Sequence, residues 1–355
     1  MSKNVALVGY GYWGPNLLRN LVSADNCEVV YCCDKDQSKL KSVRKNYPGI
    51  TLTTDIEIIL KDPSVDAVVL ATPTSSHFPL AKQILEFGKD VLIEKPMTIN
   101  YQEASQLVAM AEKNKRVIMV DHTFLFNDAV IRIKELVKSG EIGDILYVDS
   151  VRVNLGLFQK DVNVIFDLAA HDFSIINFIL NGLPVSVQAH ANTYYGGNEN
   201  VAYIFAEYPG GVTTHVHVSW LSPAKIRRML IVGSKKMIVY DDIEPTEKIR
   251  IYDKGVVMEK TPNEMQQLKI GYRSGDVWLP KIEIFEPLSL LVREFLNAII
   301  TRKVTKSSGE FGAQVIDVLE KATQSARGAK KILFNRGNGN GVKKKHAAEA
   351  TVAVR

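Results

Sequence analysis

Asp167 and His171 form a pair whose residue types and spacing suit proton transfer. They lie four positions apart in a segment with helical apolar spacing, so both side chains belong to one face of the predicted helix. Histidine moves protons near neutral pH, and a neighbouring carboxylate can orient the imidazole and stabilise its charged form. The pair predicts a proton-transfer site. The structural alternative is an acidic residue at a helix N-terminus and a core histidine bonded to the backbone.

A glycine-rich segment near the N-terminus predicts a nucleotide-binding loop. Gly9, Gly11 and Gly14 form a Gly-x-Gly-x-x-Gly pattern that directly follows an apolar run and opens a helical segment. In this context the first glycine permits a tight turn, the second lets backbone amides approach a pyrophosphate, and the third allows close helix–strand packing. Tyr12 and Trp13 lie inside this loop and are predicted to contact the same cofactor. A glycine-rich turn without a ligand is the alternative.

The end of the second predicted strand carries the residue that selects the cofactor. Asp34 stands twenty positions after Gly14, where a carboxylate accepts hydrogen bonds from the adenosine ribose hydroxyls. An acidic group there disfavours a 2′-phosphate, which predicts NAD rather than NADP. Lys35 and Lys39 nearby keep NADP as the alternative.

Two further loops follow predicted strands and should meet at one edge of the sheet. Thr72, Pro73 and His77 follow the third strand, and Glu94 and Lys95 follow the fourth. Because ligands of open parallel sheets bind in the crevice at the carboxyl ends of the strands, we expect all five to line the dinucleotide. From the pattern alone, the alternatives are a serine cap of the next helix and a solvated surface lysine.

Other polar residues are candidates for substrate contacts. They are His122, which ends the last strand of the first domain, Arg152, Asn154 and Asn163. Each is equally consistent with an ordinary polar residue of a strand or loop. A second set is Trp220, Lys225, Arg227 and Arg228. That segment could bind a nucleotide diphosphate, although a solvated basic strand edge is the simpler interpretation.

The predicted elements explain how these residues are positioned. Through residue 122, short continuous apolar runs alternate with segments of helical spacing, which predicts a doubly wound parallel sheet covered on both faces. The predicted strands are Val5–Val8, Val29–Cys33, Ala67–Ala71, Val91–Ile93 and Val117–Val120. The predicted helices are Asn16–Ser23, Ser38–Tyr47, Phe78–Phe87 and Tyr101–Asn114. Residues 1–122 are therefore predicted to be an α/β Rossmann domain that binds NAD.

Residues 123–333 are predicted to be an α+β domain that binds substrate on an open, mainly antiparallel sheet. After a helix at Asp128–Ser139, alternating apolar runs are separated by turn signals. The runs are Ile145–Val153, Val185–Tyr194, Val201–Tyr208, Gly211–Trp220, Met229–Val232 and Met237–Tyr240. We expect the remaining helices to cover one face of this sheet: Phe166–Leu180, Pro287–Thr301 and Gly309–Ala329.

Length and charge narrow the function classes. With 355 residues, 46% hydrophobic and 23% charged, the chain has the composition of a globular protein of two domains. Its net charge of +5 suggests a nucleic-acid or membrane partner. However, residues 336–355 contain five basic residues and one acidic residue, and residues 334–355 have the low complexity of a disordered tail. The nearly neutral remainder gives no reason to expect nucleic acid or membrane as a partner.

Cysteine usage and hydropathy indicate a compartment. Cys27, Cys32 and Cys33 lie in an apolar stretch without the spacing of a zinc site, so we expect neither a disulfide framework nor a metal. No apolar run reaches the roughly 20 residues of a membrane span, and the first run is too short for a signal peptide. Reduced thiols without an export signal predict a cytoplasmic protein.

The motifs together resemble the glucose–fructose oxidoreductase / inositol dehydrogenase / rhizopine catabolism (Gfo/Idh/MocA) family over residues 1–333. The glycine motif, Ala-Thr-Pro before His77, Glu94-Lys95-Pro96 and Asp167-x-x-x-His171 occur in the family's order. The resemblance implies that Lys95, Asp167 and His171 are catalytic. His171 would take the proton of a sugar hydroxyl while the carbinol hydrogen passes as hydride to the nicotinamide. Lys95 would hydrogen-bond the oxygen, and Asp167 would orient His171 or bind an adjacent hydroxyl.

Two stretches resemble a branch associated with nucleotide-sugar and surface-polysaccharide biosynthesis: Gly-Tyr-Trp-Gly-Pro-Asn (11–16) and Asp-Val-Asn-Val-Ile-Phe-Asp-Leu-Ala (161–169). This implies a 3-dehydrogenase of a UDP-linked sugar, such as UDP-N-acetylglucosamine or its uronic acid. The family also implies a homodimer or homotetramer. Many relatives have a glycine-rich segment before Asp167 and a glycine at Ala169, so the departure here leaves the substrate open.

Three alternatives remain on the sequence alone. The first is a dehydrogenase of a free sugar or a polyol such as inositol. The others are an NAD-dependent glycosidase and a non-catalytic sugar-sensing regulator of the same fold. The presence of Lys95, Asp167 and His171 argues against the regulator.

Overall fold

The structure is a computed structural model that describes residues 2–259, 269–283, 285–304 and 306–328. The predicted basic tail, residues 334–355, and the last residues of the predicted second domain, 329–333, lie outside the described residues. Within the described part of the chain, no helix is both long and apolar enough to cross a membrane.

The first described sheet, sheet A, is parallel and has the strand order 3-2-1-4-5-6. Its strands are β1 Lys3–Val8, β2 Cys27–Cys33, β3 Thr51–Thr53, β4 Ala67–Leu70, β5 Asp90–Glu94 and β6 Ile118–Asp121. The helices between them are α1 Gly14–Val22, α2 Gln37–Asn46, α3 Ile56–Lys61, α4 His77–Glu86 and α5 Tyr101–Lys113. The predicted doubly wound sheet is confirmed. Only the shortest pieces, β3 and α3, were not predicted, because three to six residues do not establish a period.

The second described sheet, sheet B, is open and mainly antiparallel, as predicted. Its strands are β7 Ile145–Leu155, β8 Ser186–Asn192, β9 Val201–Tyr208, β10 Val212–Ser219, β11 Leu221–Gly233, β12 Met237–Asp241, β13 Ile249–Glu259 and β14 Lys269–Trp278. They are arranged in the order β14-β13-β12-β11-β7-β10-β9-β8, and the pair of β10 with β7 is parallel. The strands β13 and β14 were not predicted, because charged residues and glycines interrupt their alternation and pairing within the sheet decides them.

Four helices of the described chain follow sheet A. They are α6 Asp128–Lys138, α7 Ala170–Leu180, α8 Pro287–Thr301 and α9 Gly309–Gly328. The predicted helix Phe166–Leu180 is present, but its first turn, Ile165–Ala169, is π-helical and leads into α7.

The expectation that α8 covers sheet B is wrong, because α8 packs on sheet A. Leu291, Val292 and Phe295 of α8 share a buried core with Leu17 and Leu21 of α1. The apolar period of a segment shows which of its faces is buried but not against which partner. After α8 the chain returns along the edge of sheet A, where the Val120 amide donates to the Ser307 carbonyl at 3.0 Å.

The helix α9 joins the two sheets. It packs on β8 of sheet B and also on α5 and β6. A Cβ placed on Gly309 or on Gly312 would lie 2.5 Å from a methyl group of Ile118 or Val120, respectively. These two glycines therefore permit the close approach of α9 to β6, the edge strand of sheet A, which holds this side of sheet A against the second layer.

Candidate active site in the crevice between the sheets

A crevice of about 550 Å³ opens beside the carboxyl edge of sheet A. It receives residues from the ends of β5 and β6, from the start of α7, from sheet B and from the segment before α8. Its lining residues are Trp13, Glu94, Lys95, Asp121, Thr123, Phe124, Asn127, Asp128, His171, Arg227, Asp242, Lys248, Ile282, Glu283, Phe285, Glu286 and Pro287. This is the position at which open α/β sheets bind ligands.

The glycine-rich loop has the geometry that its sequence predicts. Gly9 has φ +99°, and a Cβ there would lie 2.4 Å from the Ala71 carbonyl oxygen. A Cβ on Gly14 would lie 2.7 Å from the Gly9 carbonyl oxygen, so the start of α1 packs directly on the turn. Gly11 has no atom within 4 Å of an ideal Cβ, which leaves the open space that a pyrophosphate needs. Trp13, at the N-cap of α1, makes no side-chain cap bond among the described residues.

Asp34 supports this loop from the end of β2. Its Oδ2 accepts a hydrogen bond from the Tyr10 amide at 2.7 Å, and its Oδ1 accepts from the Asp36 amide at 2.8 Å. Lys39 Nζ lies 3.5 Å from Oδ2. Each carboxylate oxygen has two lone pairs, so both can also accept from ribose hydroxyls. The aromatic side chains of Tyr12 and Trp13 are exposed, and Trp13 also lines the crevice.

His77 connects two loops rather than presenting its ring to the crevice. Its Nδ1 lies 3.0 Å from the Pro96 carbonyl oxygen and its Nε2 lies 2.8 Å from the Thr72 carbonyl oxygen. The side chain is buried, and that burial lowers the pKa of His77. His77 thus fixes the backbone of the loop that contains Thr72 and Pro73. Ser76 donates to the Pro73 carbonyl and does not cap α4.

Glu94 and Asp121 place two carboxyl groups side by side in the crevice wall. They are directly paired in the register of β5 and β6, and both are buried. Glu94 accepts from the Lys95 amide at 3.0 Å, and Thr123 donates to Asp121. Burial raises the pKa of both groups, and the charge of Asp121 further raises the pKa of Glu94. Asp121 was not predicted, although its place at a strand end was the signal that could have found it.

Lys95, which lines the crevice, forms an ion pair with Asp167 behind it. Lys95 Nζ donates to the Asp167 carbonyl oxygen at 2.9 Å and to Asp167 Oδ1 at 3.0 Å. The second carboxylate oxygen, Oδ2, accepts from the indole N–H of Trp220 at 2.9 Å. The structure therefore brings Asp167 to Lys95 and not to His171. The π-helical turn that contains Asp167 changes the spacing from which a shared helical face was predicted.

His171 lines the crevice, and no carboxylate of the described residues is bonded to it. Its ring contacts Phe124 edge-on at 5.0 Å, and its Nδ1 has no hydrogen-bond partner among the described residues. Burial lowers the pKa of His171 well below its ordinary value, and the charges of Lys95, Arg152 and Arg227 lower it further. The expectation that Asp167 stabilises the charged imidazole is therefore not met: the surroundings favour the neutral base.

Four other candidates for substrate contact do not line the crevice. His122 is buried edge-on against Phe311, and burial lowers the pKa of His122 to about 3. Arg152 is buried with Asp172, its Nε 2.8 Å from that carboxylate.

The remaining two candidates have local surroundings. Asn163 accepts from the Phe166 amide at 3.0 Å and donates to Glu199 at 3.1 Å, so it caps the π-helical turn beside a separate cavity of about 330 Å³. Asn154 is half-buried near the end of β7, next to Gly156.

A charged group from sheet B completes the crevice wall. Arg227 Nη1 lies 3.3 Å from Asp242 Oδ2, and Lys248 Nζ donates to the Asp242 carbonyl oxygen at 2.8 Å. Arg228, the next residue along β11, lies on the other face of the sheet and pairs with Asp241. Because side chains alternate along the strand, Arg227 faces the crevice and Arg228 faces away from it.

Two family models match this chain. One is described as "Oxidoreductase family, NAD-binding Rossmann fold" and matches residues 3–122. The other is described as "GFO/IDH/MocA C-terminal domain" and matches residues 130–239. The prediction of NAD as the cofactor is confirmed by the first match, over the same residues that form sheet A.

The individual relatives have low sequence identity to this chain, but the matches extend over most of its length. The uncharacterized oxidoreductase YdgJ of Escherichia coli (strain K12) is 29% identical over 302 residues, which are 80% of this chain and 82% of that protein. The UDP-N-acetylglucosamine 3-dehydrogenase of Acidithiobacillus ferrooxidans is 27% identical over 256 residues, which are 71% of this chain and 76% of that protein. The solved structure of GenD2 from gentamicin A biosynthesis, in complex with NAD, has a TM-score of 0.78 at 21% identity and covers 94% of this chain and 97% of its own. It shows the same fold.

Proposed function

Since the chain belongs to the Gfo/Idh/MocA family of NAD-binding oxidoreductases, we propose that it oxidises a hydroxyl-bearing carbon of a UDP-linked sugar, at C3, in nucleotide-sugar or polysaccharide biosynthesis. The substrate is UDP-N-acetylglucosamine or its uronic acid. The observation that carries the proposal is that Lys95, paired with Asp167, lines the same crevice beside the glycine-rich loop as His171, whose Nδ1 has no hydrogen-bond partner among the described residues. The branch motifs and the UDP-N-acetylglucosamine 3-dehydrogenase relative support the sugar-nucleotide class.

The cofactor side of this proposal uses the edge of sheet A. The residues that would hold NAD are Gly9, Gly11, Tyr12, Trp13, Gly14, Asp34, Thr72, Pro73 and Glu94, with His77 holding the backbone of their loops. NAD, when bound, supplies the acceptor for the hydrogen and electrons of the carbinol carbon. Residues 1–122 thus contribute the cofactor site together with Lys95, and residues 123–333 contribute the rest of the substrate site.

The chain's own residues divide the remaining work. Lys95 has three N–H groups and gives two hydrogen bonds to Asp167, so one N–H remains for the oxygen of the reacting hydroxyl. His171, held neutral, accepts the proton of that hydroxyl. The ammonium charge of Lys95 stabilises the developing negative charge on the oxygen. Binding to the sugar by His122, Arg152, Asn154 or Asn163 requires movement from the positions described above.

NADH formation with a panel of sugars tests this proposal. We expect NADH from NAD with UDP-N-acetylglucosamine or its uronic acid, and a loss of at least about 100-fold in kcat for Lys95→Met. NADH only with inositol or free hexoses contradicts the proposed substrate and establishes the polyol alternative. Turnover of an aryl glycoside without net NADH indicates the glycosidase. Normal function of Lys95→Ala in cells, without measurable turnover, indicates the regulator.

The outer face of sheet B supports assembly into a homodimer or homotetramer. The exposed residues Tyr203 and Phe205 of β9 share this face with His215 and His217 of β10, and the rings of Tyr203 and His217 stack at 4.4 Å. Tyr147 of β7 extends the same row. An exposed aromatic sheet face of this kind is typical of an interface, and the same face of a second copy of the chain can bury it.

The compartment and partners follow from the same proposal. Cys27, Cys32 and Cys33 are free in the structure, which supports a cytoplasmic enzyme. Its partner is a small-molecule sugar substrate rather than nucleic acid or a membrane. Among the described residues, no group of three or more His, Cys, Asp and Glu side chains is arranged to hold a metal ion.

A further inference from the structure

Trp220 is a buried residue that contacts the candidate active site through one hydrogen bond. It lies between β10 and β11, and 1% of its surface is exposed. Its indole N–H donates to Asp167 Oδ2 at 2.9 Å. The sequence favoured a solvated basic strand edge for this segment, with nucleotide-diphosphate binding as the other interpretation, but the Trp220 side chain is buried and donates to the carboxylate that binds Lys95.

The position of the indole is fixed from several sides. The Trp220 amide donates to the Asn200 carbonyl, and the Gly156 amide donates to the Trp220 carbonyl, both at 3.0 Å. The ring of Phe158 packs on the indole at 5.5 Å between centroids. A Cβ on Gly156 would lie 2.8 Å from Trp220 Cδ1, so the end of β7 closes tightly on the ring. The indole N–H is thus a fixed reference point in the site.

We propose that Trp220 is a positioning residue for the reaction, which holds Asp167 and, through Asp167, the ammonium group of Lys95. The terminal torsion of an aspartate side chain is broad and roughly two-fold, so a carboxylate held at one oxygen can turn. Trp220 holds Oδ2 while Lys95 binds Oδ1, and this fixes the plane of the carboxylate. The two N–H groups of Lys95 that Asp167 binds then determine where the third one points.

The chemistry of the donor matters as much as its position. A neutral N–H satisfies one oxygen of Asp167 without bringing a second positive charge. The negative charge of Asp167 therefore remains paired with Lys95, at the low exposure where such a pair is weakly screened. A histidine, lysine or arginine in place of Trp220 would compete with Lys95 for that charge. This inference rests on the proposed role of Lys95 and adds the residue that sets its geometry.

Chemical labelling of Lys95 tests the positioning without any substrate. The full-length protein is treated briefly with acetic anhydride, and acetylation of Lys95 is compared by peptide mass spectrometry with that of Lys248 in the same crevice. We expect Trp220→Phe to raise the relative labelling rate of Lys95 at least threefold, because the ammonium group is released more often. Trp278→Phe, a tryptophan change in β14 that does not contact Asp167, is the matched control and should leave the ratio unchanged.

A double-mutant cycle separates positioning from general damage. In an Asp167→Asn background, Trp220→Phe should change Lys95 labelling by less than 1.5-fold, because its effect passes through the carboxylate. With the sugar that yields NADH, Trp220→Phe should lower kcat by about tenfold and leave KM within about twofold of the wild-type value. In the Asp167→Asn background, Trp220→Phe should have no such effect on the single-turnover rate.

The outcomes distinguish this inference from the proposed function. Full activity of Lys95→Met overturns the proposed function. Inactive Lys95→Met together with unchanged labelling and unchanged kcat in Trp220→Phe overturns only the positioning role, as does an effect of equal size in the Asp167→Asn background. If Trp220→Phe does not fold, Gly156→Ala is used in the same cycle, since its Cβ displaces the indole from the other side.

Discussion

At the scale of single residues, the neutral state of His171 depends on charges that are distant in sequence. Lys95 comes from the end of β5, Arg152 from β7 and Arg227 from β11, and all three disfavour a positive charge on the imidazole. Burial acts in the same direction. A neutral histidine is ready to accept a proton from an alcohol, whereas a charged one is not. The proposed base is therefore already neutral before substrate binds.

The pH dependence of His171 follows from these charges. The pKa of His171 lies below the ordinary histidine value of about 6.5, so the neutral form persists to lower pH. We therefore expect the acid limb of kcat/KM to lie below pH 6.5. In histidine-labelled protein, NMR titration should place the His171 midpoint below 6.5. Arg227→Gln removes one positive charge and should move both the midpoint and the acid limb of kcat/KM to higher pH.

The neighbouring arginine supplies the control for that measurement. Arg228 lies on the opposite face of β11, paired with Asp241, so Arg228→Gln should leave the His171 titration in place. A His171 midpoint above 6.5, or equal shifts in the two arginine variants, would show that the crevice charges do not set the state of the base.

At the scale of elements, the turn from β1 to α1 combines two glycines that the fold needs with one that a ligand needs. Gly9 has a positive φ and no room for a side chain, and Gly14 packs on the turn. Gly11 meets open space. We therefore propose that Gly9 and Gly14 serve folding, whereas the missing side chain of Gly11 matters only for cofactor binding.

Two alanine variants separate these roles. Gly11→Ala should unfold at a temperature close to that of the wild type but bind NADH at least tenfold more weakly, because its Cβ occupies the space of the pyrophosphate. Gly9→Ala should destabilise the protein by at least about 2 kcal/mol, because alanine is strained at φ +99° and meets the Ala71 carbonyl. Thermal unfolding and a fluorescence titration with NADH measure the two effects. NADH binding by Gly11→Ala at wild-type strength would contradict the assignment of the loop.

At the scale of the whole molecule, two long helices determine how the layers join. The helix α8 covers the outer face of sheet A, while α9 lies between the edge of sheet A and sheet B. Sheet B is therefore covered on one face, and its other face presents the aromatic row of Tyr203 and Phe205. The proposed assembly through this face makes a direct prediction about molecular mass in solution.

A charge on the outer face of sheet B should separate the copies. Phe205, with 55% of its surface exposed, contributes little to the core, so Phe205→Arg should fold normally and yet sediment as a monomer where the wild type is a dimer or tetramer. Phe87→Arg, at a 46% exposed site at the end of α4 in the sheet A layer, is the control and should keep the wild-type mass. A wild-type protein that is monomeric by light scattering at low concentration would refute the assembly.

The sequence by itself determined most of the elements in their order and the edge of sheet A at which the candidate site lies. Continuous apolar runs ending in Asp34, Glu94 and Lys95 predicted a parallel sheet with functional residues at its carboxyl edge, because strand ends in such a sheet lie together. The glycine spacing predicted the cofactor loop because the tight turn and the start of the helix depend on residues that are neighbours in the chain.

Only the tertiary structure decided which residues bind one another. The bond from Trp220 to Asp167 spans 53 positions, and that from Lys95 to Asp167 spans 72. No local period encodes either contact. The spacing of four predicted that Asp167 lies beside His171. In the structure, Asp167 lies in a π-helical turn, and its carboxylate binds Lys95 and Trp220 instead. Periodicity reports the exposure of a face, whereas the partner of that face is set by how the layers pack.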